Sequence, residues 1–278
     1  MIDVAPAAKA APIVKWAGGK TRLLPELAKR VPKKFGRYYE PFVGGAALFF
    51  HLAPPRAMLT DTNRDLIRMY ITVRDDVDVL IRRLKRYAAA HDERHYYTTR
   101  EKWNGGFSSG MTRAAAFIYL NKTCFNGLWR VNSSGEFNVP MGNYTDPTIC
   151  DSNGLRAASI ALARTRLGCT DYRDAVSEAE RGDFVYFDSP YAPIDSTSNF
   201  TSYTPGGFNA DNQRELADVA RNLLGRGVHV MLSNSDTPLT RKLYRGFKIE
   251  RVKCGRSINS NAEKRGEVNE LIITGKKQ

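Results

Sequence analysis

Residues 37 to 63 confine the chain to few folds. An apolar run ends at Tyr39-Glu40-Pro41-Phe42, a paired-glycine turn and an apolar helix follow, and a second apolar run, Ala57-Met58-Leu59-Thr60, leads into Asp61. Two apolar strands joined by one helix read as a βαβ unit, whose strands are parallel. A second α/β block opens near residue 152. It predicts a helix over Ala157 to Arg164, a strand near Cys169 to Tyr172, and the strand Phe184-Val185-Tyr186-Phe187 meeting Asp188. A helix around Gln213 to Leu224 and a strand from Val228 to Ser233 continue the alternation. The expected fold class is α/β, a largely parallel sheet flanked by helices.

Residues 64 to about 150 read differently. Helical periodicity runs through Leu66 to Tyr87 and Thr112 to Leu120, and a loop rich in Gly, Asn and aromatics follows. A chain of 278 residues can hold one large domain and a smaller one. The expected division is residues 1-63 and 151-278 for the two parts of the α/β domain, with 64-150 inserted as a helical domain.

The chain carries 42 Lys and Arg against 29 Asp and Glu, a formal charge of +13 and a pI near 9.6. That balance favours a polyanionic partner, a nucleic acid or an acidic membrane surface. No apolar run approaches the roughly 20 residues of a membrane span, and the start lacks the apolar core of a secretory signal. A soluble intracellular protein is expected. The four cysteines, Cys124, Cys150, Cys169 and Cys254, have no metal-ligand spacing and are read as free thiols. The histidines form no metal signature; His91 and His95 are read as exposed on a helix surface.

Several constellations carry chemistry. Lys15-Trp16-Ala17-Gly18-Gly19-Lys20-Thr21 ends like a phosphate loop, but Val14 stands where that loop needs its first glycine, and no clear strand precedes it. A loop placing Trp16 and Lys20 near a cofactor is the better reading. In Glu40-Pro41-Phe42-Val43-Gly44-Gly45-Ala46 the glycines let the backbone approach a ligand. Asp61, after the next strand, is placed to accept ribose hydroxyls; it could also cap the helix that starts near Asn63.

The sharpest feature is Phe184 to Tyr191, a buried strand running into Asp188-Ser189-Pro190-Tyr191. An adenine N6 amine is a poor nucleophile because its lone pair is delocalised into the ring, so a site must bind it through acceptors that favour the charge developing on nitrogen. The Asp188 carboxylate and the Ser189 carbonyl can each accept one N6 hydrogen, and Tyr191 can stack on a flipped base. The alternative is a turn in which Pro190 merely ends the sheet. In the inserted stretch, Asn121 to Arg130 and Gly135 to Tyr144 mix amides and aromatics with an Arg able to pair with guanine. Residues 241 to 265 hold nine Lys or Arg against two Glu, read as phosphate contacts or as a solvated face.

Taken in order, KWAGGK, EPFVGG, NGLWR with GEFNVP, DSPYAP and Thr197-Ser198-Asn199-Phe200-Thr201 resemble the Dam-type DNA adenine-N6 methyltransferases of the alpha class, from about residue 13 to 274. The resemblance implies a Rossmann-like S-adenosylmethionine methyltransferase domain with an inserted helical target-recognition domain. It implies that Trp16, Lys20, Phe42, Gly44, Asp61 and Asp188 line the cofactor site, with Asp171 and Tyr172 near the adenine of S-adenosylmethionine. Asp188, Ser189, Pro190 and Tyr191 would be catalytic. Lys15, Asn126, Leu128, Arg130, Pro140, Tyr144 and Asn199 would contact double-stranded DNA, and Phe125 would fill the gap left by a flipped adenine in GATC. The implied product is S-adenosylhomocysteine. No metal, no membrane and no obligate protein partner are expected, and a cytoplasmic monomer follows, in a bacterium or in the host of a phage.

One departure stands out: the family's Asp-Pro-Pro-Tyr has Ser189 at its second place. The accepting carbonyl survives, the rigidity of a Pro-Pro turn is reduced, and a backbone NH is gained. Two other readings stay open, methylation of RNA or of a protein glutamine, and a DNA-binding protein that has kept the fold without the chemistry.

Overall fold

The computed structural model describes residues 9-106, 110-193, 208-255 and 267-275. The elements in chain order are α1 (Leu24–Ala28), β1 (Tyr38–Glu40), α2 (Ala47–Leu52), β2 (Ala57–Asp61), α3 (Arg64–Asp75), α4 (Val77–Ala89), α5 (Glu93–Asn104) and α6 (Gly110–Thr123). They continue with α7 (Ser152–Leu162), β3 (Thr165–Cys169), α8 (Tyr172–Ala175), β4 (Phe184–Phe187), α9 (Ala210–Gly225), β5 (His229–Ser235), α10 (Pro238–Leu243), β6 (Lys248–Gly255) and β7 (Glu267–Thr274). Two compact units divide the chain: Met1–Gly19, Gly44–Ala53 and Asn63–Cys169 form one, and Lys20–Val43, Pro54–Thr62 and Thr170–Gln278 the other.

Among the described residues the second unit carries six strands in the order β2-β1-β4-β5-β7-β6. Tyr39 pairs with Met58, Tyr38 with Phe184 and Val185 with Val230, all parallel. The β6–β7 hairpin is antiparallel, and β7 adds to β5 with Leu232 opposite Ile273. Every residue of β4 is buried, as a central parallel strand covered on both faces requires. One face is covered by α9, whose Leu216, Ala217, Ala220 and Leu223 pack with Val185, Phe187, Val230 and Leu232. This is a Rossmann-like α/β arrangement with an antiparallel hairpin at its edge. The parallel strands β1, β2 and β4 end on the same edge at Glu40, Asp61 and Phe187, the last followed directly by Asp188. The strand order reverses between β1 and β4, and ligands of open α/β sheets bind outside the carboxyl ends at such a point.

The other unit is mainly helical. Residues 114 to 121 of α6 are buried without a break, and Ala114-Ala115-Ala116 leave room for close neighbours. Arg113 grips Asp65 of α3 with two bonds, Nε to Oδ1 at 2.6 Å and Nη2 to Oδ2 at 2.8 Å.

Some sequence expectations need correction. The strand near Cys169 to Tyr172 is β3, which ends at Cys169, and Asp171 instead caps α8 by accepting from the Arg173 NH at 2.9 Å. The periodic stretch Leu66 to Tyr87 is two helices that break at Asp76. The cap of α3 is Asn63, which accepts from the Asp65 and Leu66 NH groups. His91 and His95 are half-buried. The His91 Nδ1 lies 3.0 Å from the Tyr119 hydroxyl, and His95 packs on Tyr87 and Tyr119 at about 5 Å, where burial lowers its pKa. Among the described residues Cys124, Cys150 and Cys169 form no disulfide. Among the described residues no helix is long and apolar enough to cross a membrane, and no cluster of His, Cys, Asp and Glu could hold a metal ion.

Candidate active site

At the end of β4 the chain turns through Asp188-Ser189-Pro190-Tyr191. The Lys20 ammonium lies 2.7 Å from Asp188 Oδ1, and the Ser233 hydroxyl of β5 donates to the same oxygen at 3.0 Å. Ser233 in turn lies 3.0 Å from the Tyr186 hydroxyl. The Asp188 side chain is 19 % exposed and that of Lys20 8 %. Desolvation therefore pushes the Asp188 carboxyl above the usual carboxylate range, against the opposing pull of Lys20 and Ser233. Among the described residues both contacts fall on Oδ1, which leaves Oδ2 for an incoming N–H donor.

Tyr191 is fixed at both ends. Its hydroxyl donates to Glu270 Oε2 at 2.7 Å, and the Lys20 ammonium stands 4.5 Å from its ring centroid. The turn's backbone is held as well: the Gln213 side chain donates to the Pro190 carbonyl at 2.8 Å, and the Ala192 NH donates to Asn234 Oδ1 at 2.9 Å. Ser233, Glu270, Gln213 and Asn234 escaped the sequence reading. Their only signal is polarity where the pattern wants apolar residues, most clearly Ser233-Asn234-Ser235 at the buried end of β5.

Beside this turn in the same unit, Phe42 follows β1 and stacks on Tyr172 at 5.2 Å, with Phe187 and Phe208 at 6.4 and 5.9 Å. Asp61 closes β2, half-buried. Among the described residues the Thr60 hydroxyl next to it and the Ser189 hydroxyl are buried without a hydrogen-bond partner. Asp171 is already engaged, since its Oδ1 receives both the NH and the Nε of Arg173.

In the helical unit, Trp16 and Gly19 close a turn, carbonyl to NH at 3.0 Å, with Gly18 at φ 77°. Gly44 has φ 43°, and a Cβ there would lie 2.8 Å from Trp16 Cδ1. Gly44→Ala is therefore expected to cost about 2 kcal/mol of stability, read as a lower denaturation midpoint; an unchanged midpoint would show that Trp16 packs elsewhere.

The same unit gathers the residues expected at nucleic acid. Asn121 clamps Lys15 through its NH and its carbonyl, both at 2.8 Å. The Lys15 ammonium reaches the Tyr144 hydroxyl at 3.3 Å. The Phe125 NH donates to the Pro140 carbonyl at 2.9 Å, and bridges at Cys124–Met141 and Val131–Phe137 tie the two arms of the loop. Its aromatics divide by role. Trp129 and Phe137 are buried and stacked at 4.5 Å, whereas Phe125 is 53 % exposed. Asn126 and Arg130 are exposed, Leu128 is half-buried, and Arg130 Nε is held by Asn138 at 2.9 Å. Within the basic run, Arg241 and Arg251 both pair with Asp236 and Lys248 with Glu250. Asn199 and the loop Ser257 to Gly266 lie outside the described residues.

An antiparallel hairpin added to a parallel sheet, with an acidic turn and aromatics at its carboxyl edge, is consistent with a methyltransferase of the Rossmann-like class. Residues 16–258 match the model of the D12 class N6 adenine-specific DNA methyltransferase family, and the chain belongs to that family. It is 40 % identical over 268 residues to the type II methyltransferase M1.LlaDCHI of Lactococcus lactis, covering 95 % of this chain and 94 % of that one. Against the type II methyltransferase M.MjaIII of Methanocaldococcus jannaschii it is 40 % identical over 282 residues, covering 94 % and 98 %. Against the DNA adenine methylase of Haemophilus influenzae the identity is 39 % over 271 residues, covering 96 % and 94 %. The protein is an adenine-N6 DNA methyltransferase.

Proposed function

We propose that this chain methylates N6 of an adenine turned out of double-stranded DNA within GATC, with S-adenosylmethionine as donor. The observation that carries the reading is the turn at the end of β4, where Lys20 and Ser233 both hold Asp188 Oδ1 and leave Oδ2 and the Ser189 carbonyl to accept. The residues present suit the donor: an acidic strand end at Asp61 for ribose hydroxyls, the aromatic surface of Phe42 and Tyr172 for a purine, and a buried, unpartnered Thr60 hydroxyl beside them. Trp16, Lys20, Gly44, Asp171 and Asp188 complete the proposed cofactor set. When bound, S-adenosylmethionine supplies an electrophilic methyl group on a sulfonium.

The protein's own part is to prepare the amine. Asp188 Oδ2 and the Ser189 carbonyl each accept one N6 hydrogen, which turns the lone pair out of conjugation with the ring. With the donor bound, methyl transfer to N6 would leave the sulfur neutral as a thioether, and Asp188 would receive the surplus N6 proton and pass it to solvent. Tyr191, pinned by Glu270, offers a ring face against the base. S-adenosylhomocysteine and N6-methyladenine are the products.

Residues 64-150 serve as the target-recognition domain. Phe125 is the exposed wedge, and Arg130, anchored through Nε by Asn138, presents its two Nη groups to guanine O6 and N7. Lys15, Asn126, Leu128, Pro140 and Tyr144 flank them, and Asn199 joins by family likeness alone. The GATC target rests on that likeness too.

The test is methyl transfer from labelled S-adenosylmethionine to two unmethylated duplexes that differ only in GATC, with the modified base identified by mass spectrometry. N6-methyladenine confined to the GATC duplex supports the whole reading. Label in both duplexes removes the sequence specificity, and label in neither removes the function.

Ser189 supplies a second expectation. Its buried hydroxyl lacks a partner, at a cost of about 1–3 kcal/mol, and a proline there would also narrow the unfolded ensemble by about 0.4–1 kcal/mol. Ser189→Pro is expected to raise the melting temperature and to raise turnover or leave it unchanged. A large loss of turnover would show that the turn needs the Ser189 NH.

A further inference from the structure

The catalytic turn of this chain lacks the second proline that would stiffen it, yet its peptide groups are clamped from two other elements. Gln213, in the first turn of α9, donates from Nε2 to the Pro190 carbonyl at 2.8 Å. Asn234, near the end of β5, accepts through Oδ1 from the Ala192 NH at 2.9 Å and from the Ser235 NH at 2.8 Å. The two amides are joined, Asn234 Nδ2 donating to Gln213 Oε1 at 3.0 Å. Each is 1 % exposed, so water does not compete for these bonds.

We propose that Gln213 and Asn234 are positioning residues for methyl transfer, an amide relay that aims the Ser189 carbonyl at the adenine amine. The geometry explains how. The pyrrolidine ring fixes φ of Pro190, so a bond that fixes the Pro190 carbonyl removes the remaining freedom of the backbone between it and the Ser189–Pro190 peptide. The Ser189 carbonyl lies in that peptide plane and takes its direction from it. Asn234 holds the peptide on the other side of Tyr191 and keeps Gln213 in the rotamer that reaches Pro190. With Ser189 unable to stiffen the turn, the relay carries the positioning that a Pro-Pro pair would share. The proposal rests on the reading of Asp188 and Ser189 as acceptors for the N6 amine.

Gln213→Met keeps the length of the side chain and removes both of its hydrogen bonds. In the full-length enzyme, single-turnover methylation at saturating GATC duplex and S-adenosylmethionine is expected to fall about 30- to 100-fold, the scale of a misplacement near 1 Å. Binding of duplex and of S-adenosylmethionine is expected to stay within about three-fold, because the relay touches neither. Ser189→Pro added to Gln213→Met is expected to recover part of the lost rate, by a larger factor than Ser189→Pro gives in the wild type. A merely structural role would lower the melting temperature and leave the rate per folded molecule and the Ser189→Pro factor unchanged, and that result overturns the proposal. If Gln213→Met does not fold, Gln213→Leu answers the same question: it keeps an apolar side chain of similar volume on the buried face and removes the donor to Pro190. Asp188→Ala, run in parallel, separates the two readings. Wild-type methylation by Asp188→Ala defeats the acceptor assignment itself, whereas a dead Asp188→Ala beside a fully active Gln213→Met defeats only the relay.

Discussion

Replacing Asp188 by alanine is expected to lower single-turnover methylation by about 10³-fold or more while DNA binding stays within a few-fold. Loss of one preorganised electrostatic contact costs on the order of 10²–10³ in rate, and loss of the group that receives the proton adds to it. Asparagine is the sharper substitution. Lys20 and Ser233 both donate to Asp188 Oδ1, so an Asn side chain settles with its oxygen toward them and its NH2 where Oδ2 was. That places a donor against the N6 donor, and Asp188→Asn should be as inactive as Asp188→Ala although it preserves shape and packing. Labelled methyl transfer beside a duplex-binding titration checks both variants. Methylation by either at the wild-type rate would sink the acceptor assignment.

What the sequence disclosed of this arrangement, and what it hid, follows from the physics of each signal. Strands β1, β2 and β4 were legible because a central parallel strand is apolar at successive positions and each ends at a proline or an acid. The strand placed near Cys169 to Tyr172 misread that logic. Asp171 accepts from the backbone two residues on, and a helix start of that kind overrides the β preference of the tyrosine beside it. Helix α5 was legible only as a helix surface carrying His95, without bounds, because its buried face is only Tyr96, Thr99 and Trp103, a stripe too mixed in polarity to show a period.

The candidate site shows the same division. Asp188 announces itself as a charge at the end of an apolar run. Gln213 does not: a glutamine near the start of an amphipathic helix reads as solvent-facing. Yet Gln213 lies on the buried face with Leu216, Ala217, Ala220 and Leu223, and the spacing could have flagged it. The aromatics of the Asn121 to Tyr144 loop were indistinguishable in sequence. Only tertiary contacts assign Trp129 and Phe137 to a cluster with Phe117 and Trp103 and leave Phe125 outside it.

Lys20→Met is expected to move the acid limb of the methylation rate to higher pH and to lower the rate near neutrality by about 10²-fold. The chemistry needs Asp188 ionised, so activity is present above its pKa and is lost as pH falls through it. Burial already holds that pKa above the ordinary carboxylate range, and Lys20 is the larger of the two groups that pull it back, Ser233 the smaller. Methionine retains the apolar length of the side chain and removes the charge, so desolvation acts with only Ser233 left to oppose it and the pKa rises further. Lys20 also stands over the Tyr191 ring at 4.5 Å, and losing that contact loosens the ring; the resulting loss of rate does not depend on pH. The two effects separate in single-turnover rates measured at saturating duplex and S-adenosylmethionine between about pH 5 and 9, where free Asp and Lys side chains do not change charge. A displaced acid limb assigns the titration to Asp188. A uniformly lower rate with the limb unmoved would show that Lys20 acts through Tyr191 or the cofactor, and that Asp188 keeps its charge without help.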